Sequence, residues 1–239
     1  MDLLLAVIVS TLIVGLAMPL GAAVALFENI QSEWLREEFR HRVMAFGGGA
    51  LLSAIALVLV PEGMENLSPI YAASCFVLGG YFFMALDVFL YKMNTPAGQL
   101  AAMLSDFIPE SIALGAAFAT GDNSAYLLAG LIGLQNLPEG FNAYRELNES
   151  RTFSSRKIIT VFILMALLGP VAGVSGLLFL ADSPVIVSAI MLFAAGGILY
   201  SIFQDIAPPP GEVRKKHWGP PMAAIAGFVL GMVGSMLVG

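Results

Sequence analysis

Apolar stretches of about twenty residues follow one another along nearly the whole of this 239-residue chain, and no other feature constrains its folding as much. An α-helix rises about 1.5 Å per residue, so roughly 20 apolar residues span a hydrocarbon core about 30 Å thick. Eight such stretches occur, over residues 3–27, 43–61, 69–91, 98–120, 125–144, 158–181, 184–206 and 220–238. Inside hydrocarbon every backbone N–H and C=O must pair internally, so each stretch is expected to be a helix. The expected fold is all-α, a single polytopic transmembrane domain over residues 1–239. Charged residues make up 12% of the chain and hydrophobic ones 58%, where a soluble domain carries about 25% charged residues. No Lys or Arg precedes Arg36, and the first stretch is long, so it is expected to be a retained helix rather than a secretory signal. Cys75 is the one cysteine, which excludes an internal disulfide.

Turn formers mark most junctions: Pro61, Pro69, Asn94-Thr95-Pro96, Gly121-Asp122-Asn123, Asp182-Ser183-Pro184 and Pro208-Pro209-Pro210. The 11 basic residues all lie in the gaps that follow spans 1, 3, 5 and 7. They are Arg36, Arg40 and Arg42, then Lys92, then Arg145, Arg151, Arg156 and Lys157, and finally Arg214, Lys215 and Lys216. Basic loops stay cytoplasmic. Both termini are therefore expected outside the cytoplasm, in a multi-pass protein of the cell membrane. One span more or fewer would scatter these charges over both sides.

Two pairs of segments repeat within the chain. Phe46-Gly-Gly-Gly-Ala-Leu-Leu-Ser-Ala-Ile55 aligns with Phe193-Ala-Ala-Gly-Gly-Ile-Leu-Tyr-Ser-Ile202 at an offset of 147, which also pairs Pro61 with Pro208. Asp106-Phe-Ile-Pro-Glu110 in span 4 aligns with Gln135-Asn-Leu-Pro-Glu139 in span 5 at an offset of 29. Each pair enters the membrane from opposite sides. Inverted repeats around a central pair of interrupted helices are the signature of secondary transporters, with the binding site near the midplane. Small-residue runs also recur simply because they let helices approach closely, so the weight rests on the central pair.

Span 4 and span 5 carry the chemistry. A carboxylate near the bilayer centre costs at least about 2.5 kcal/mol and needs compensation. Asp106 and Glu110 are four residues apart, as are Gln135 and Glu139, so each pair projects from one helix face. Were those faces to meet, three carboxylates and an amide would converge with no Lys or Arg in either span to neutralise them. A cation is the natural counter-charge. Pro109 and Pro138 cannot donate backbone hydrogen bonds, which releases the carbonyls of Ser105 and Leu134 for a metal or water. The plainer reading, structural kinks beside protonated carboxyls, does not explain why the arrangement occurs twice.

At these residues the chain resembles the ZIP family of divalent metal transporters, which has eight helices, outward termini and Pro-Glu motifs in helices 4 and 5. The family's helix 4 motif commonly reads His-Asn-x-Pro-Glu-Gly; here the run is Asp106-Phe107-Ile108-Pro109-Glu110-Ser111. Its helix 5 motif reads His or Gln, Asn or Asp, then x-Pro-Glu-Gly, matched by Gln135-Asn136-Leu137-Pro138-Glu139-Gly140. The resemblance implies that Asp106, Glu110, Gln135 and Glu139 line a principal metal site, and that Asn136 belongs to an adjacent second one. Two second-site ligands are replaced, by Phe107 and by Gly169 before Pro170, so one metal per transport site is expected.

The expected function is that of a secondary transporter or facilitator carrying a divalent cation of the zinc, manganese or iron(II) class toward the cytoplasm. The alternative is a transport-dead homologue acting as a metal sensor or partner subunit, motivated by the substitutions at Asp106, Phe107 and Gly169. Zinc prefers nitrogen and sulfur donors, and oxygen sets suit harder ions, so the absence of a histidine favours manganese or iron. His41 and His217 lie in basic loops and read as solvated surface. No nucleotide-binding motif occurs, and no intramembrane nucleophile–base set or HExxH, so neither enzyme activity nor a cofactor is expected. The expected partners are the cation and membrane lipid, with a homodimer as one option, and no nucleic acid. Glu62 and Glu65 could gather cations at an entrance, and Gln204 and Asp205 could serve an exit. Asp87 is explained by a contact with Lys92.

Overall fold

The computed structural model describes residues 3–27, 33–93, 96–120, 123–149, 153–180, 183–206 and 219–238. The regular structure described is helical throughout. In chain order it comprises α1 (Leu3–Phe27), α2 (Glu33–Ala54), a π-helical turn (Ile55–Leu59), α3 (Val60–Met64), α4 (Pro69–Met93) and α5 (Pro96–Thr120). α6 (Ser124–Glu149), α7 (Ser155–Ala166), α8 (Leu168–Leu180), α9 (Pro184–Ile206) and α10 (Gly219–Val238) follow. With α2–α3 and α7–α8 each taken as one rod, seven helices among the described residues are long and apolar enough to cross a membrane. The protein is thus an all-α polytopic membrane protein. α6 is not one of the seven although it is 26 residues long. Its Gln135, Asn136, Glu139, Asn142, Arg145 and Glu146 dilute the hydropathy.

The helices depart from the hydropathic stretches for local reasons. α2 starts at Glu33, ten residues before the apolar run, because Glu, Leu and Arg propagate a helix well whether or not they are apolar. Pro61 does not end that rod. The backbone widens into the π-turn just before it, with the Val60 N–H reaching back to the Ile55 carbonyl, and the helix continues to Met64. A proline ring clashes with the carbonyl four residues back, and an expanded turn relieves that clash. Pro170 has a harsher effect: α7 stops at Ala166, the residue whose carbonyl the ring would strike, and α8 resumes at Leu168. Pro109 and Pro138 lie inside α5 and α6 without ending either.

Helix association in lipid gains little from the hydrophobic effect and depends on close packing of small residues. Four helix pairs use reciprocal glycines, at each of which a Cβ would run into a backbone carbonyl of the facing helix. In α1·α6 these are Gly21 on Leu137 and Gly140 on Met18; in α2·α10, Gly49 on Ala224 and Gly227 on Phe46. In α4·α9 they are Gly79 on Phe193 and Gly196 on Phe76; in α5·α8, Gly115 on Gly173 and Gly176 on Ile112. α1, α5, α6 and α7–α8 pack together as one set, and α2–α3, α4, α9 and α10 as another. The sets meet where α2 packs on α6 and α9 on α5. α4 and α10 are peripheral: in each, 11% of the most apolar stretch is buried within the protein, leaving the remainder to lipid.

Candidate functional site

The seam between the two sets holds a narrow cavity. Asp106 and Glu110 line it from α5, and Gln135, Pro138 and Glu139 from α6. The i, i+4 spacing on each helix thus brings all four polar side chains of the two Pro-Glu segments to one space. α2 contributes Met44, Gly47, Gly48 and Leu51, and α9 contributes Ile198, Ser201 and Ile202. Leu51 and Ile198 occupy equivalent positions in the repeated segments of these two helices. The α2 residues lie in its second half, after Arg40 and Arg42, and the α9 residues lie toward its end. Val58, Leu59, Leu128, Leu131, Met191 and Ala195 are buried in the core.

Glu110 is the most confined of the donors, with 2% of its surface exposed. Its Oε2 is buried without a hydrogen-bond partner, and the like charges of Glu139 and Asp106 face it. An ionised carboxyl so placed is costly unless a cation or proton compensates it. Gln135 Nε2 donates to Glu139 Oε2 at 2.9 Å, which leaves the Gln135 Oε1 oxygen buried and without a partner. Ser201 Oγ donates to Asp106 Oδ1 at 3.2 Å and so ties α9 to α5 across the seam. Among the described residues, no three His, Cys, Asp or Glu side chains stand close enough to form a preformed metal cage.

Asn136 does not line this cavity. It is fully buried on the side of α6 that faces α1, where its Nδ2 donates to the Val14 carbonyl at 3.0 Å. Its Oδ1 has no hydrogen-bond partner. Phe107 is likewise fully buried. A Cβ built on Gly15 of α1 or on Gly169 of α8 would meet the tip of the Phe107 ring at 2.8 Å. Phe107 and Gly169 therefore complement each other: the ring fills space that a side chain at 169 would need.

Sequence reasoning missed Ser201 and Met44 as lining residues. A weak signal for Ser201 existed, since its counterpart in the repeat is Ala54 and a polar residue had replaced an apolar one. Asp87 accepts a hydrogen bond from the Tyr200 hydroxyl at 2.9 Å, which replaces the expected contact with Lys92. Glu62 accepts a hydrogen bond from Ser124 Oγ, and Ser188 Oγ both donates to the Glu62 carbonyl and accepts from Asn66. These bonds pin the far end of the α2–α3 rod to α6 and α9. Glu65 and Gln204 are exposed, and His41 is exposed on α2. The side chain of Asp205, and His217, lie outside the described residues. At the opposite end Arg40 Nη1 donates to Asn142 Oδ1 at 3.4 Å, joining α2 to α6.

Compared with known proteins, the chain matches no family model and no curated sequence.

Proposed function

We propose that this protein is a divalent-cation transporter of the ZIP type, with eight spans and both termini outside the cytoplasm. It moves a cation of the zinc, manganese or iron(II) class inward through the seam between α5 and α6 on one side and α2 and α9 on the other. The observation that carries this reading is Glu110: a carboxylate buried to 98% by its 2% exposure, with an unpartnered oxygen, in a cavity shared with Asp106, Glu139 and Gln135. Burying such charge in mid-membrane is costly, and intramembrane acids mark ion pathways. The paired Pro-Glu segments, the repeats that enclose them and the segregation of basic residues support the same reading. The cation is cargo and not a resident group. With Phe107 packed against Gly15 and Gly169, transport runs through one cation at a time.

Arg40 and Arg42, on the side this topology makes cytoplasmic, precede the cavity residues of α2, and the bonds around Glu62 and Ser188 join helices at the opposite end. Uptake of radiolabelled manganese and zinc by cells expressing the parent, Glu110→Ala or Glu139→Ala tests the proposal. Uptake by the parent and background uptake by both variants, at equal membrane levels, is expected. Undiminished uptake by both variants would place the pathway elsewhere.

A further inference from the structure

Ser201 has no counterpart in the paired Pro-Glu segments, yet it stands at the same cavity. It comes from α9, in the other helix set, and its Oγ lies 3.2 Å from Asp106 Oδ1. A serine in a spanning helix usually returns its hydroxyl to its own backbone, as Ser105 does to the Ala101 carbonyl and Ser175 to the Ala172 carbonyl. Ser201 instead points its hydroxyl across the seam at an acid. Neighbouring oxygens in an octahedral shell with metal–oxygen bonds of about 2.0–2.4 Å stand about 2.8–3.4 Å apart. The Ser201–Asp106 separation falls in that range. A hydroxyl has two acceptor lone pairs and rotates freely, so Ser201 can turn from donating to Asp106 to accepting a cation that Asp106 holds.

The other donors have the same chemical character. Asp106, Glu110 and Glu139 supply carboxylate oxygens, and Gln135 supplies a carbonyl oxygen left buried without a partner because its amide nitrogen faces Glu139. No His or Cys lines the cavity, and the Met44 thioether is its one soft atom. We propose that Ser201 is a fifth oxygen donor of the cation site, and that this oxygen set selects a hard divalent cation, manganese(II) over zinc(II). The proposal rests on the transport reading above and adds to it a ligand from α9 and a preference. Zinc, which is satisfied by four donors and gains most from nitrogen and sulfur, has little to gain from a neutral fifth oxygen. Manganese(II) takes carboxylate, carbonyl and hydroxyl oxygens in a larger shell.

The test is equilibrium binding of manganese(II) and zinc(II), alone and in competition, to the purified full-length parent and to Ser201→Ala, Ser201→Thr, Ser201→Cys and Glu110→Ala. Size-exclusion profiles certify that each is folded. Ser201→Ala is expected to weaken manganese binding about tenfold and zinc binding much less. Ser201→Thr keeps the hydroxyl and should stay within about threefold of the parent for manganese. Ser201→Cys supplies a thiolate and should reverse the preference in favour of zinc. Unchanged manganese affinity and an unchanged metal ratio in Ser201→Ala, with Glu110→Ala inactive in binding, would overturn the role of Ser201 alone. A parent that prefers zinc would overturn the selectivity. A folded parent that binds neither metal would overturn both this proposal and the transport reading.

Discussion

Replacing Glu110 by glutamine should make the metal-free protein more stable while destroying its response to metal. In the parent the Glu110 carboxyl keeps an unpartnered oxygen in the seam and shares the cavity with Glu139 and Asp106. A buried polar group left without a partner costs about 1–3 kcal/mol, and a charged one more. Glutamine has nearly the same shape, carries no charge and can donate its amide to either neighbouring carboxylate, so repulsion becomes hydrogen bonding. Without metal, Glu110→Gln should gain about 1–3 kcal/mol at pH 8, or a rise in Tm of about 2–10 °C for a chain of this size. Cation at a hundred times its Kd stabilises the parent by about 2.7 kcal/mol, which the variant forgoes if it no longer binds. Thermal unfolding in detergent, followed by circular dichroism with and without manganese(II), gives all four values. Adding metal should close the stability gap by about 2.7 kcal/mol, inverting the order wherever the substitution's gain is smaller than that. A variant no more stable than the parent without metal, or equally stabilised by it, would refute the placement of an uncompensated carboxylate at the centre of the site.

Other consequences are directly measurable. Phe107→Ala removes a fully buried ring from between Gly15 and Gly169 and should cost about 3–5 kcal/mol in the same unfolding assay, with a loss below 1 kcal/mol counting against that packing. Gly115→Leu places a side chain against the Gly173 carbonyl and should abolish recovery of monodisperse protein, whereas Gly130→Ala, where a Cβ meets nothing, should be neutral. In a Cys75→Ser background, cysteines introduced at residues 2 and 239 should react with an impermeant reagent from outside sealed cells and one at residue 152 should not; the reverse pattern would invert the topology. Carboxylates must shed protons to bind a cation, so apparent affinity should fall as the outside pH is lowered, and affinity independent of pH would exclude them as ligands.

The sequence made some of this legible because certain residues act alone. A proline has one missing N–H and one clash, and Pro170 accordingly breaks the rod at Ala166. The same logic overstated Pro61, where the π-turn absorbed the clash and the helix ran on to Met64. The alternating acids and bases at 33–42, which fit either a solvated connector or the start of the second helix, form the first turns of α2. At the site, four-residue spacing was enough to place Asp106 with Glu110 and Gln135 with Glu139. Pairwise features were not legible. Phe107 and Gly169 read as two separate departures from a motif, and the packed ring makes them one. Ser201 drew no reading from the sequence, because only the packing of α9 on α5 sets its hydroxyl beside Asp106. Asn136 shares the Gln135 segment, but one residue along a helix turns it by about 100°, toward Val14 of α1.

Transport itself is tested most directly by metal flux into sealed vesicles containing only the purified protein. An inward manganese or zinc gradient should load parent vesicles with metal, well above the level of protein-free vesicles. Vesicles with folded Glu110→Ala or Glu139→Ala should stay at the protein-free level. Parent protein that binds the cation at equilibrium yet moves none across the bilayer would contradict the account and leave a metal sensor or partner subunit in its place.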